Sequence, residues 1–309
     1  MSLAIIYPNK DVSHWVTALQ TQDPALKIEV WPGIEDPDDV LFALCWNHPA
    51  GVLQKFPNLK CISSLGAGIN HLLNDSTRPL GIPLVRLVDE GLKQSMAEYV
   101  MLGALEYFRR FKDYRLQQVK TEWAARQIPH ISAPGIGMMG CGEIGSYVAD
   151  KLADFGFSVH GWRRTPQANE KIRVYSGKEE LETFLRQTDI LVCLLPLTPE
   201  TENILNLQTL SQLRPNAYLI NVGRGAHLVE ADLLSALESG DLSGALLDVF
   251  REEPLPQQHP FWTHDKISIT PHIASQTNPE SAAEQIVENY QRALNSSPLL
   301  NLVDVKSGY

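Results

Sequence analysis

Short apolar runs alternate with segments of helical period along most of this chain, and that alternation restricts it to parallel α/β architecture. In the first third, strands are expected at Leu3–Tyr7, Lys27–Trp31, Leu41–Trp46, Cys61–Leu65 and Pro83–Leu87. A second series is expected at Ile136–Met139, Ser158–Trp162, Asp189–Leu195, Ala217–Val222, Ala245–Phe250 and Ile267–Thr270. At 309 residues the chain exceeds one ordinary core, so two α/β units follow one another. Met96 to about Phe111 reads as a long helix too apolar to stand free, expected to pack between domains or between subunits. Ser281–Leu294 reads as a final helix that returns to the first unit.

The sequence Gly135-Ile-Gly-Met-Met-Gly140-Cys-Gly142-Glu-Ile-Gly145 contains GxGxxG twice, sharing Gly140. The motif works only where it follows a strand and opens a helix, so that bare backbone approaches a pyrophosphate at the helix N-terminus. Begun at Gly135, it would follow His-Ile-Ser-Ala-Pro, a poor central strand because of Pro134. Begun at Gly140, it follows Ile136–Met139 and precedes Ile144, Val148, Leu152 and Phe155 at helical spacing, with Gly156 as a C-cap. The second register is therefore expected, with Gly140, Cys141, Gly142, Glu143, Ile144 and Gly145 around a dinucleotide. Cys141 reads as a small residue tolerated there, not a redox sensor.

The end of the next strand decides which dinucleotide. An acidic side chain there accepts hydrogen bonds from ribose hydroxyls, whereas guanidinium groups pair with a 2′-phosphate. Here the chain reads Arg163-Arg164-Thr165, so NADPH is expected over NADH; the alternative is two arginines merely solvated at a strand end.

Four further pieces fall at or near expected strand ends, where open α/β sheets bind ligands. They are Leu194 to Thr201, Asn221-Val-Gly-Arg224-Gly225, Asp248-Val-Phe-Arg-Glu-Glu253-Pro254 and Thr270-Pro-His272-Ile-Ala274. They add Leu195, Pro196, Thr201, Val222 and Ala274 as candidate cofactor contacts. On the Asn-x-x-Arg-Gly, Asp-Val-Phe-x-x-Glu-Pro and Thr-Pro-His blocks, the chain resembles the D-isomer-specific 2-hydroxyacid dehydrogenase family over nearly its full length.

The resemblance implies two doubly wound parallel-sheet domains. A flavodoxin-like substrate domain, 1–97 plus 279–309, would be split around a Rossmann-type nucleotide domain at 98–278. It implies reduction of small 2-oxoacids such as glyoxylate and hydroxypyruvate, with Arg224, Glu253 and His272 as the catalytic set. Asp248 is expected by the nicotinamide, and the turn Leu65-Gly66-Ala67-Gly68 is expected to meet the substrate carboxylate through backbone N–H groups. It also suggests a homodimer, with Trp123 reaching toward a neighbouring subunit. Arg163 stands where NAD-using members carry an acidic residue and agrees with those that use NADPH.

Chemistry gives each catalytic assignment its own reason. Reducing a 2-oxoacid needs a hydride on carbon, a proton on oxygen and a grip on an anion. Arg224 offers a planar fork of donors. His272 belongs to the side-chain type that carries protons near neutrality, and a carboxylate beside it favours the imidazolium. Glu252 and Glu253 are adjacent, and only the motif, with Glu directly before Pro254, selects Glu253. Trp46 ends an expected strand and is a candidate wall for the substrate pocket, with core packing equally open. His227, close to Arg224, is to be checked for a substrate contact. Two other functions stay open: a dehydrogenase of a larger D-2-hydroxyacid, and a non-catalytic cofactor-sensing protein on the same fold.

A formal net charge of −10 argues against nucleic acid or an anionic membrane as a partner. Cys45, Cys61, Cys141 and Cys193 are far apart with no CxxC, which suits reduced thiols in a reducing compartment and no metal site. The opening MSLAIIYPNK has no basic region ahead of an apolar core, and no run reaches membrane-spanning length, so a cytoplasmic location is expected.

Overall fold

The computed structural model describes residues 1–128, 130–167 and 169–305. The last four positions of the expected 279–309 segment, and positions 129 and 168 of the expected 98–278 domain, lie outside them. The chain divides into two compact units, Met1–Leu92 with Gln276–Tyr309, and Lys93–Ser275. From sequence the joins are expected at 97/98 and 278/279, a few residues later.

In the first unit, five strands form a parallel sheet in the order β2-β1-β3-β4-β5. They are β1 (Ser2–Ile6), β2 (Ile28–Val30), β3 (Val40–Cys45), β4 (Cys61–Ser64) and β5 (Leu84–Val85). The order is that of the flavodoxin-like doubly wound fold. β1, β3 and β4 are buried along their whole length, which is why they read as continuous apolar runs instead of alternating ones. β5 is only two residues long: it starts after Pro83, which has no N–H for a ladder, and ends where Arg86 N–H turns to Asn301 O.

The helix Pro279–Leu294 closes this unit. Its Ala282, Ala283, Ile286, Tyr290 and Ala293 are buried with Leu3, Trp15, Leu19 and Phe42. Tyr290 meets Phe42 edge-on at 6.2 Å and donates its hydroxyl to Met1 O at 3.1 Å. The chain's end thus completes the core that its beginning starts.

The second unit carries seven parallel strands in the order β12-β11-β10-β9-β6-β7-β8. They are β6 (Gly135–Met139), β7 (Ser158–Arg163), β8 (Arg173–Ser176), β9 (Ile190–Cys193), β10 (Ala217–Asn221), β11 (Leu242–Leu247) and β12 (Ile267–Ile269). The order reverses between β6 and β9, and that switch point is where such sheets bind nucleotides.

Two strands of this sheet depart from the sequence reading. β8 is an extra edge strand, too short and charged to stand out as an apolar run. β11 begins at Leu242 and ends at Leu247, so Asp248–Phe250 belong to a loop. The long helix runs Glu90–Phe108, and a second helix, Phe111–Val119, follows Arg110 in the left-handed conformation. Met96, Ala97, Val100 and Ala104 pack on this unit's own sheet residues Ile220 and Leu246. Gly103 admits that approach, since a Cβ there would stand 2.7 Å from Leu246 Cδ2.

All four cysteines are buried and free. Burial pushes their thiols up, to about 12 for Cys61 and Cys193 and about 11 for Cys141. No helix among the described residues is long and apolar enough to cross a membrane, and no group of His, Cys, Asp and Glu there has the arrangement of a metal site.

Candidate active site

The glycine loop adopts the register begun at Gly140: β6 ends at Met139 and a helix runs Glu143–Phe155, closed by Gly156 at φ 113°. Its three glycines do different work. Gly140, at φ 113°, turns the chain, and a Cβ there would meet Leu194 O at 2.6 Å. Gly145 lets the helix close on the loop, where a Cβ would stand 1.8 Å from Gly140 O. Gly142 is exposed with nothing within 4 Å of its Cβ position, so bare backbone faces open space at the helix N-terminus. That cradle fits a pyrophosphate.

The other loop residues divide. The Cys141 side chain is turned inward, its Sγ 3.5 Å from Met138 O, so any cofactor contact it makes is through its backbone. Ile144 packs on the core. Glu143, which would repel phosphate, is paired at 3.2 Å with Lys93, a residue that the motif reading missed. At the end of β7, Arg163 is half-buried while Arg164 and Thr165 are exposed, with no acidic side chain among them.

The loops after β9, β10 and β11 hold the remaining candidates. Thr201 folds back on its own loop, donating to Pro196 O at 2.7 Å and accepting from Thr198 N at 2.8 Å. Leu195 and Val222 are buried. The Asn-x-x-Arg-Gly block has a mechanical basis. Buried Asn221 ties the turn by donating to Arg224 O and accepting from Gly223 N. Gly225 lies so close to the Phe250 peptide that a Cβ would stand 1.9 Å from Phe250 C. Only glycine brings the two loops that close.

Arg224, between those two groups, is half-buried and donates Nη1 to Gly223 O at 2.6 Å. Burial lowers its pKa, and the nearby charge of Glu253 opposes that shift.

His272 and Glu253 meet directly, with Nδ1 2.7 Å from Oε2. Burial works to raise the Glu253 pKa, but the bonds from His272 and from Phe250 N outweigh it and hold the carboxyl below its usual range. An ionised carboxylate only accepts, so Nδ1 donates, and Nε2 is the ring nitrogen left for exchange. His272 sits at φ 55°, its N–H bonded to Asp248 O at 2.9 Å.

Asp248, expected beside a nicotinamide, is tied into the loop that carries His272. Its carboxylate is buried and accepts from Thr270 Oγ1 (2.6 Å), Ile273 N (2.8 Å) and Ala274 N (2.9 Å). Three donors from the loop that carries His272 converge on it, so its observed work is to hold that loop in shape. The Ala274 N–H is engaged by the same carboxylate. Tyr99, from the long helix, extends the chain of bonds through its hydroxyl contact with Thr270 Oγ1 at 2.5 Å.

In the first unit, the turn after β4 keeps part of its backbone occupied. Leu65 N–H bonds Cys45 O at 2.9 Å, and Gly66 N–H bonds Ser64 Oγ at 3.2 Å. The expectation that this turn offers backbone N–H groups to a carboxylate rests on Ala67 and Gly68, both half-buried. Trp46 is half-buried against Gly66, with ring atom Cζ3 3.0 Å from that residue's Cβ position, and lies 4.7 Å from the His71 ring. His227 is fully buried and does not face solvent. Trp123 is fully exposed.

The family model described as D-isomer specific 2-hydroxyacid dehydrogenase, NAD binding domain, matches residues 101–274. A glyoxylate/hydroxypyruvate reductase A from Yersinia enterocolitica is 42% identical over 315 residues, covering 100% of both chains. A D-isomer specific 2-hydroxyacid dehydrogenase from Xanthobacter autotrophicus, solved with NADPH and MES, superposes with a TM-score of 0.96 at 38% identity, over 100% of this chain and 99% of that one. An NADPH-dependent glyoxylate/hydroxypyruvate reductase from Sinorhizobium meliloti, solved with NADP and sulfate, gives 0.94 at 34% identity over 100% of both. With the family model covering more than half the chain and relatives matching its full length, this protein belongs to the D-isomer-specific 2-hydroxyacid dehydrogenase family.

Proposed function

We propose that this chain is an oxidoreductase that uses NADPH to reduce small 2-oxoacids, glyoxylate to glycolate and hydroxypyruvate to D-glycerate. The observation that carries the reading is the His272–Glu253 pair, with Arg224 in electrostatic reach of Glu253, in a unit whose β7 ends on arginine. The names of the full-length relatives support it.

Arg224 grips the oxoacid carboxylate and carbonyl oxygen through its fork of donors. His272 Nε2 delivers the proton to the carbonyl oxygen, while Glu253 orients the ring through Nδ1 and balances its charge. The bare backbone at Gly142 holds the pyrophosphate, and Arg163 with Arg164 pairs with the 2′-phosphate. When bound, NADPH supplies the hydride that the carbonyl carbon accepts.

The test is NADPH oxidation, followed by absorbance, against a panel of 2-oxoacids and run beside NADH. Glyoxylate and hydroxypyruvate are expected to outpace branched and aromatic oxoacids, and NADPH to exceed NADH in kcat/KM. Arg163→Ala should raise the NADPH KM by about tenfold or more and leave that for NADH nearly unchanged. Equal or better efficiency with NADH defeats the cofactor assignment; no turnover with any oxoacid defeats the reductase reading.

The reading includes a homodimer in the cytoplasm. Buried free thiols support a reducing compartment. Exposed Phe111, Leu116, Val119 and Trp123 crowd one stretch of chain, and a second copy would cover them. Sedimentation velocity is expected to return twice the 34.5 kDa chain mass. A monomer at micromolar concentration would remove the dimer from the reading.

A further inference from the structure

His227 is fully buried, one turn beyond Arg224, and takes no part in the chemistry proposed above. Its two ring nitrogens nevertheless meet two different loops. The Arg224 backbone N–H points at Nδ1 from 3.0 Å, and Nε2 lies 3.3 Å from Pro196 O. A backbone amide only donates, so Nδ1 carries no proton; a carbonyl only accepts, so Nε2 carries one. The neutral Nε2–H tautomer is therefore the one species that makes both bonds. Burial favours it as well, drawing the imidazole down to about 4, with the Arg224 charge acting the same way.

The surroundings are arranged for this ring. A Cβ at Gly223 would stand 2.9 Å from His227 Nδ1, so glycine leaves the ring its place. Leu205 N bonds His227 O and Asn203 N bonds Ala226 O, which fastens the same two loops along their backbones. Arg251 adds bonds to Leu228 O and Ala226 O. His227 takes the Arg224 main-chain N–H, while Asn221 takes its carbonyl.

We propose that His227 is a positioning residue: a proton-fixed imidazole that locks the Arg224 main chain to the Pro196 carbonyl, setting the loop after β10 against the loop after β9. What those loops hold, oxoacid and dinucleotide respectively, rests on the reductase reading above.

Two amide isosteres separate the two bonds. In His227→Asn the amide oxygen falls near the Nδ1 position, keeping an acceptor for Arg224 N–H and losing the reach to Pro196. In His227→Gln the terminal amide falls near Nε2, keeping a donor for Pro196 O and losing the Arg224 bond. His227→Gln is expected to raise the oxoacid KM about tenfold with the NADPH Kd within about twofold of wild type. His227→Asn should do the reverse. If both variants lower Tm while KM and Kd stay at wild-type values, the residue is only structural and the proposal fails.

Nitrogen-15 NMR of the wild-type chain gives a readout independent of turnover. The Nε2–H tautomer should persist unchanged between about pH 5.5 and 8, where an ordinary histidine titrates. A titrating His227, or an Nδ1–H tautomer, overturns the clamp. Should wild type reduce no oxoacid, the reductase reading falls, while the tautomer and the NADPH Kd still judge the clamp.

Discussion

His272→Ala is expected to lower kcat by about 10²–10⁴-fold while leaving the NADPH Kd within about twofold of wild type. The size follows from what the ring does. With Nδ1 committed to Glu253 at 2.7 Å, Nε2 is the group that can pass a proton to the carbonyl oxygen, and alanine offers no substitute. The small effect on NADPH follows from placement, since His272 lies in the loop after β12, whereas the glycine cradle lies after β6. The fold should survive, because the imidazole is partly exposed and the loop is held through backbone bonds to Asp248, which the substitution leaves in place. Pre-steady-state turnover and a fluorescence titration of NADPH would measure both quantities. Normal turnover in His272→Ala would remove the proton-donor assignment.

The second large effect concerns Arg224. Arg224→Ala should raise the oxoacid KM by about 10²-fold and also lower kcat, because the guanidinium meets both the carboxylate and the oxygen on which charge develops. Two charge-assisted hydrogen bonds at roughly 1.5–3 kcal/mol each account for a loss of that order. Arg224→Lys should recover part of the KM and little of kcat, since an ammonium is a point charge without the planar fork. Recovery of both by lysine would show that charge alone suffices, and the bidentate assignment would fall. The backbone of the turn is not expected to move in either variant, as Asn221 and Gly225 shape it independently of the side chain.

Much of this molecule is legible in the chain itself. Eleven strand segments read as apolar runs correspond to strands here, because parallel sheets bury both faces and leave little room for polar alternation. The choice of Gly140 over Gly135 was equally local. A glycine loop must leave a strand and enter a helix, and one of two overlapping registers met that condition. The Asn-x-x-Arg-Gly block was recognisable for a mechanical reason now visible, since no other residue fits at Gly225 against the Phe250 peptide. β8 was missed because four residues starting with arginine, at a sheet edge, carry too little apolar signal.

What the chain determined unaided was its set of elements and the residue types at their ends, since hydrophobic period and glycine geometry act over a few neighbouring residues. Tertiary structure alone decided which of those ends share bonds. The strand order sets β10 beside β9 and β11, and so brings His227 to Pro196, 31 positions away, and Gly225 to Phe250. It also turned Asp248 inward onto Thr270, Ile273 and Ala274, and Cys141 into the core. A hydrogen bond is a short-range, directional interaction between atoms distant in sequence, so its partners exist only once the sheet is assembled.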